Sequence, residues 1–277
     1  MGDDIFIHPS AVIEDGAEIG NGVRIGPFCT VSAEARIGDG THLISHVAIA
    51  GATTIGKACQ IFPNAALGFP PQSVKHGGGR TTLVIGDKCI IREGVTMHVG
   101  TDTSRGETRV GSNGFFLANT HVAHDCILGD NVTMANNATL AGHCDVGDGV
   151  TIGGASAVHQ FTRIGHRAYI GAYTGVGGDV IPYAIVSGAP GKMRGFNIIG
   201  LKRAGFPRAD IMAMRGAYRA IFDAARPLSE NLPQAEAKFG HVKPVAEIIA
   251  FMKVRPKRYL TVPPFGGTLE DEGDKVF

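Results

Sequence analysis

The sequence predicts a mainly β protein, a parallel β-helix of hexapeptide repeats followed by a small C-terminal α-helical domain, and three observations predict it. First, from Ile7 an aliphatic residue returns at every sixth position, through Ile13, Ile19, Ile25, Val31, Ile37, Leu43, Ile49, Ile55, Ile61 and Leu67. The same phase returns at Ile85, Ile91 and Met97, slips by one residue, and runs on from Val110 through Phe116, Val122, Leu128, Met134, Leu140, Val146, Ile152, Val158, Ile164 and Ile170 to Val176. Second, the residue after the aliphatic is repeatedly glycine, and the chain has 40 glycines in 277 residues, twice the usual share of roughly 7%. Third, helical spacing of apolar residues begins only after the repeat has ended.

A six-residue period fits neither an amphipathic helix at 3.6 nor a half-buried strand at 2. Three hexapeptides instead close a triangular coil of eighteen residues with the aliphatic inward. Coils stack at the strand spacing of about 4.8 Å, and about ten of them fit between residue 7 and residue 187. The glycine is expected at the tight corner. The five cysteines, Cys29, Cys59, Cys89, Cys126 and Cys144, all fall four residues after an inward aliphatic. They read as small interior residues, and an odd count without CxxC spacing argues against disulfides and zinc.

Taken along the chain, the β-helix is assigned to 1–191, with inserted loops near 68–84 and 98–109. The first, GFPPQSVKHGGGRTTLV, is rich in proline and glycine; the second, HVGTDTSRGETR, carries the phase slip. Insertions in a solenoid map to loops on one face, often the binding face. Residues 192–277 are assigned to the helical domain. PRADIMAMRGAYRAIFDAARPL spaces Ile211, Met214, Tyr218, Ile221, Phe222 and Ala225 helically behind Pro207, and PVAEIIAFMKV at 244–254 reads as another helix.

Charge and hydropathy exclude several classes. A formal charge of +1, from 26 basic and 25 acidic residues, gives no footprint for nucleic acid. The N-terminus has acidic residues where a signal peptide needs basic ones, Phe6 stands where a myristoylation signal needs Ser or Thr, and no apolar run is long enough to span a bilayer. A cytoplasmic protein without membrane insertion is expected.

The candidate chemistry gathers around Ala118–Cys126, ANTHVAHDC. Residues eighteen apart lie above one another, so His124, Gly142, Gln160 and Gly178 form a column. His143 and His159 flank it on successive coils, within about 10 Å by the stacking distance. Three readings are open. Neutral imidazoles bind zinc, although His121 and His124 are three apart rather than five. A histidine can act as general base, with Asp125 fixing its tautomer and a glycine N–H stabilising an oxyanion, which describes acyl transfer from a thioester to an alcohol. The histidines can also simply cap turns.

HVAHDC, ANNATLAGH at 135–143, IGGASAVHQF at 152–161 and GFNIIGLKRAGF at 195–206 together resemble the acyl carrier protein-dependent UDP-N-acetylglucosamine O-acyltransferases, which open lipid A (lipopolysaccharide) synthesis. QSVKHGG at 72–78 and IREGVTMHVGT at 91–101 are similar too, so the resemblance spans nearly the whole chain. It implies a left-handed β-helix and a 3-hydroxyacyl transfer to the glucosamine 3-position. A related N-acyltransferase family has an extra N-terminal domain, for which a repeat starting at Ile7 leaves no room.

The resemblance makes His124 the base and Asp125 its orienting acid, Gly142 the oxyanion donor and His143 an assistant. It assigns Ser73, Lys75, His98, His121, His159, Gln160, Asn197 and Arg203 to the nucleotide sugar, with Arg203 for its phosphates. It implies a homotrimer with sites between neighbouring β-helices and neither metal nor organic cofactor. Three departures stand out: Ser73 for an Asp, Ile199 for an acidic residue and Ala204 for an Arg. They raise the expectation that a 3-amino analogue of the sugar deserves testing beside the 3-hydroxyl. A coenzyme A-dependent acetyltransferase and a non-catalytic scaffold on the same fold are the alternatives.

A second column, Asn136, Gly154 and Ala172, is expected to line the acyl chain, with Ala172 as the stop for a medium to long chain. The acidic acyl carrier protein is expected to meet Lys192, Arg194, Lys202, Arg203, Arg208, Arg215 and Arg219.

Overall fold

The structure is a computed structural model that describes residues 4–254 and 257–264. Its strands form three sheets, which are the three faces of a prism. The first face starts at Phe6–Ile7, the second at Val12–Ile13 and the third at Glu18–Ile19. Each face takes every third strand, with parallel registers such as Ile7↔Ile25 and Ile13↔Val31. The first face holds eleven strands, and all but the last are parallel, which gives the ten coils the repeat predicts. The last, Lys192–Phe196, turns back antiparallel on Ala184–Ser187, so the sheet continues past residue 191 into the chain leading to the helices.

The inward aliphatics form the core. Ile25, Leu43, Ile61, Leu67, Ile91, Met97, Phe116, Val122, Met134, Leu140, Ile152 and Ile170 have no exposure, and all five cysteines lie with them as free thiols. Each fully buried aliphatic contributes about 1.5–3 kcal/mol. The first coil is the exception: Ile7 is 41% exposed because among the described residues no coil packs beneath it.

The glycine that follows the aliphatic has a different role from the one its position suggests. Gly20, Gly26, Gly38, Gly56, Gly86, Gly129, Gly147, Gly153, Gly165, Gly171 and Gly177 all lie outside the left-handed region. All but Gly177, which Tyr259 covers, are small because the next coil lies against them: a Cβ at Gly38 would sit 2.6 Å from the Gly56 carbonyl carbon, and one at Gly26 would run into the Ile44 carbonyl oxygen. The left-handed corner falls two residues later, at Phe28, His46, Asn64, Asn119, Asp125, Asn137, His143 and Phe161 among others. Glycine takes the same corner at Gly22, Gly40, Gly94 and Gly149, and Asn and Asp are the side-chain-bearing residues that adopt that conformation most readily, which explains their frequency there.

The inserts leave one edge. Ile61 pairs with Ile91, thirty residues on, and Ile91 with Phe116, twenty-five on. The second excess over an eighteen-residue coil is one hexapeptide plus one residue, which is the phase slip. Residues 70–81 and 99–106 lie outside the strands, because Thr82–Ile85 and Glu107–Val110 form four-residue strands of the third face. Both loops issue from the edge between the second and third faces, on adjacent coils.

Among the described residues four helices follow: α1 (Ile198–Arg203), α2 (Arg208–Ile221), α3 (Leu228–Phe239) and α4 (Lys243–Lys253). α2 buries Ile211, Met214, Tyr218 and Ile221 as its spacing predicts. α1 has only six residues and α3 contains Pro233 and buries only Asn231 and Ala235, so neither shows a helical period in the sequence. α4 docks on the last coils through Glu247, which meets His166 Nε2 at 3.1 Å and the Tyr183 hydroxyl. Arg163 pairs with buried Asp179 at 2.7 Å and lies over Phe251. Among the described residues, no helix is long and apolar enough to cross a membrane.

Candidate active site

Strand His121–Val122 ends the second face and Ile127–Leu128 begins the third, so His124 and Asp125 occupy the edge from which both inserts issue one and two coils earlier. Val122 points inward with no exposure, leaving His121 and His124 outside. Asp125 takes the left-handed corner with φ +60°. That corner turns its carboxylate back under the coil, where it is fully buried.

The buried carboxylate is held from several sides. His124 Nδ1 lies 2.8 Å from Oδ2. Thr101 donates its N–H to both oxygens, at 3.1 and 3.2 Å, and its hydroxyl to Oδ2 at 2.7 Å. The Arg105 N–H donates to Oδ1 at 3.0 Å. Arg105 is anchored in turn by both Asp145 oxygens, at 2.6 and 3.0 Å, and reaches the Asp125 carbonyl. Burial alone would raise the Asp125 carboxyl, but the His124 contact and the Thr101 hydrogen bonds outweigh it and hold the group below its usual range. Asp125 therefore stays ionised and keeps the His124 proton on Nδ1, which leaves the Nε2 lone pair available.

Gly142 lies against that ring. A Cβ there would be 2.6 Å from His124 Cε1 and 2.8 Å from Nε2, so only glycine leaves room for the imidazole. Among the described residues the Gly142 N–H donates to no acceptor. On the edge between the third and first faces, the equivalent N–H groups are capped by the next coil: Lys57 by Asp87, Asp87 by Ser112, Ser112 by Asp130 and Asp130 by Asp148. Above Gly142 the next coil offers Gln160, which is exposed. The result is one open backbone donor beside one orientated imidazole.

The other imidazoles are neutral neighbours. His143 stands edge-on to His124, with ring centroids 5.0 Å apart, and stacks on Phe161 at 4.4 Å. Its Nδ1 is 3.3 Å from the Ser104 hydroxyl. Burial pushes the His143 pKa down against the pull of Asp125. His121 Nδ1 meets the Thr96 hydroxyl at 2.7 Å, and burial followed by the neighbouring His124 lowers its pKa. His98, 7% exposed and edge-on to His121, is pushed down to about 4 by burial and then by His121 and His124, and its Nδ1 is buried without a partner. His124, Asp125 and His143 place their donor atoms within 4.8 Å of one another, the spacing a metal ion needs. The Asp125 oxygens, however, are already occupied by Thr101 and Arg105.

The sequence-predicted residues separate onto two edges and one face of the prism. Ser73 and Lys75 in the 70–81 loop, His98, His121, His124, Gly142, His143, His159 and Gln160 share the edge between the second and third faces. His159 is exposed and its Nδ1 sits 3.1 Å from the Gln160 carbonyl. The column's fourth member, Gly178, is covered by Tyr259. Asn136, Gly154 and Ala172 lie on the edge between the first and second faces. Asn197 and Arg203 line a cleft of about 510 Å³ with Thr151, Tyr169, Ile185 and Ile199, on the first face. Asn197 caps α1 by accepting the Gly200 N–H at 2.9 Å. Sequence reading missed Thr101 and Arg105, whose contacts with Asp125 span 24 and 20 residues through an irregular loop.

Comparison with known proteins agrees with this architecture. Residues 179–260 match the family model described as UDP-N-acetylglucosamine O-acyltransferase, domain 2, and residues 1–33 match the bacterial transferase hexapeptide model. A protein of Mesorhizobium japonicum named acyl-[acyl-carrier-protein]–UDP-N-acetylglucosamine O-acyltransferase is 59% identical over 268 residues, 97% of this chain and 96% of its own. One of the same name from Bartonella henselae is 49% identical over 98% of this chain and 96% of its own. The solved UDP-N-acetylglucosamine O-acyltransferase of Moraxella catarrhalis superposes with a TM-score of 0.88 at 38% identity, covering 92% of this chain and 99% of its own. Identity at this level over nearly the full length, together with the same hexapeptide β-helix architecture, means that the chain belongs to the acyl-[acyl-carrier-protein]–UDP-N-acetylglucosamine O-acyltransferase family.

Proposed function

We propose that this acyltransferase moves a 3-hydroxyacyl chain from an acyl carrier protein thioester to the glucosamine 3-hydroxyl of UDP-N-acetylglucosamine, in the cytoplasm, as the first step of lipid A synthesis. The carrying observation is the His124–Asp125 pair beside the open Gly142 N–H. Nε2 of His124 takes the 3-hydroxyl proton as the oxygen attacks the thioester carbonyl. The tetrahedral oxyanion accepts the Gly142 N–H, aimed there without reorganisation. Collapse expels the carrier thiolate, and the imidazolium returns the proton to it. His143 stays neutral beside the base, a hydrogen-bonding group rather than a competing cation.

Ser73, Lys75, His98, His121, His159 and Gln160 surround the sugar in this reading, and Asn197 and Arg203 hold the nucleotide. The last two lie on a different face from His124, so one substrate meets both sets only between two copies. A contact that joins two different faces is heterologous and closes into a ring, and we propose a homotrimer. The groove of about 400 Å³ between α1 and α2, lined by Lys202, Arg208 and Arg215 with Phe206 and Met212, suits an acidic carrier protein.

The acyl chain follows Asn136, Gly154 and Ala172, where glycine leaves a furrow: a Cβ at Gly154 would lie 3.3 Å from the Asn136 carbonyl oxygen. Ala172→Met is expected to move the preference to shorter acyl chains, as read by competition between carrier proteins of different loading. Unchanged selectivity removes this column from the groove.

The direct test is mass spectrometry of products from UDP-N-acetylglucosamine and a ladder of 3-hydroxyacyl carrier proteins, with a 3-amino acceptor and acetyl-coenzyme A as parallel arms. Absence of any acylated nucleotide sugar overturns the proposal.

A further inference from the structure

The two inserted loops meet at one side chain. Asp102, in the 99–106 loop, accepts the Gly77 N–H at 3.1 and 3.0 Å and the Gly79 N–H at 2.8 Å, and lies 3.2 Å from His76 Nδ1. The sequence His76-Gly77-Gly78-Gly79 now has a physical reason. A Cβ at Gly79 would lie 2.7 Å from the Asp102 Cβ, and one at Gly77 would lie 3.1 Å from its Oδ2, so glycine lets the backbone close around the carboxylate. The Gly79 and Gly77 N–H groups hold the Asp102 carboxyl below its usual range, so it grips them as an anion.

One residue earlier, Thr101 holds Asp125 through its N–H and hydroxyl. Adjacent residues of one loop therefore grasp, on one side, the loop that carries Ser73 and Lys75 and, on the other, the carboxylate that orientates His124. Ser104 of the same loop reaches His143.

We infer that Asp102 is a positioning residue that makes the 70–81 loop and the support of the His124–Asp125 pair a single mechanical unit, so that sugar binding and base alignment are coupled through it. The inference rests on the acyl-transfer reading above for its catalytic consequence, but its structural part stands on the loop contacts alone. Asp102→Asn removes the charge and turns a donor toward the glycine amides at nearly constant shape. Gly79→Ala opens the same clasp from the opposite side and changes no residue of the proposed machinery.

The test is hydrogen exchange on the full-length wild type and both variants, with steady-state kinetics and thermal melting in parallel. Each variant is expected to lose amide protection in 70–81 and in 99–106 together. Each is also expected to raise KM for UDP-N-acetylglucosamine and lower kcat together, by about tenfold each. Protection lost in only one loop, or in neither, overturns the clasp, and so does a change in KM or kcat alone in an active enzyme. A wild-type chain that acylates nothing would sink the functional reading while the exchange result still decides the clasp.

Discussion

His124→Ala is expected to lower kcat by about 10³-fold, within the range a positioned general base contributes, while KM for the nucleotide sugar changes little. The reason is local. The ring is mostly buried at the edge, and its loss leaves Asp125 with the Thr101 and Arg105 donors, so the carboxylate is not stranded. The fold should therefore melt as the wild type does, and the loss should appear in single-turnover chemistry. Asp125, whose carboxyl is held below its usual range, does not take over as a base, because its oxygens are already engaged by the Thr101 and Arg105 donors. Activity within tenfold of wild type would show that the proton leaves by another route and that the column is structural.

Gly142→Ala is the second large effect expected, a fall in kcat of about 10²–10³-fold, as for the loss of an oxyanion donor or its geometry. Its backbone lies outside the left-handed region, so alanine is tolerated conformationally. The added methyl instead meets His124, 2.6 Å from Cε1 and 2.8 Å from Nε2. The imidazole must swing away from the donor N–H. A melting transition close to wild type with a collapsed kcat is the expected pair of results. A near-normal kcat would mean that neither the space nor the N–H is used in the reaction.

The repeat was legible because burial imposes it: an aliphatic every sixth residue is what a triangular coil needs, and the stacking follows from that phase. The same arithmetic put His124 under Gly142 and brought His143 and Gln160 to one edge. It misjudged the glycines, because spacing marks where small residues recur but not whether the constraint is a left-handed corner or a close approach of the next coil. It passed over α1 and α3, one too short for a period and the other interrupted by Pro233.

Period fixes only a residue's angle around the prism axis and its height along it. By itself the sequence therefore determined the ten coils, the inward residues and cysteines, and the column that carries the orientated histidine. What only the tertiary structure decided lies off that lattice. Asp125 is buried and clamped by Thr101 and Arg105, Asp102 binds one insert to the other, and the cleft lined by Asn197 and Arg203 opens on a different face from His124. Those contacts join residues twenty or more apart through loops with no repeat, where conformation is set by which hydrogen bonds a buried carboxylate can collect.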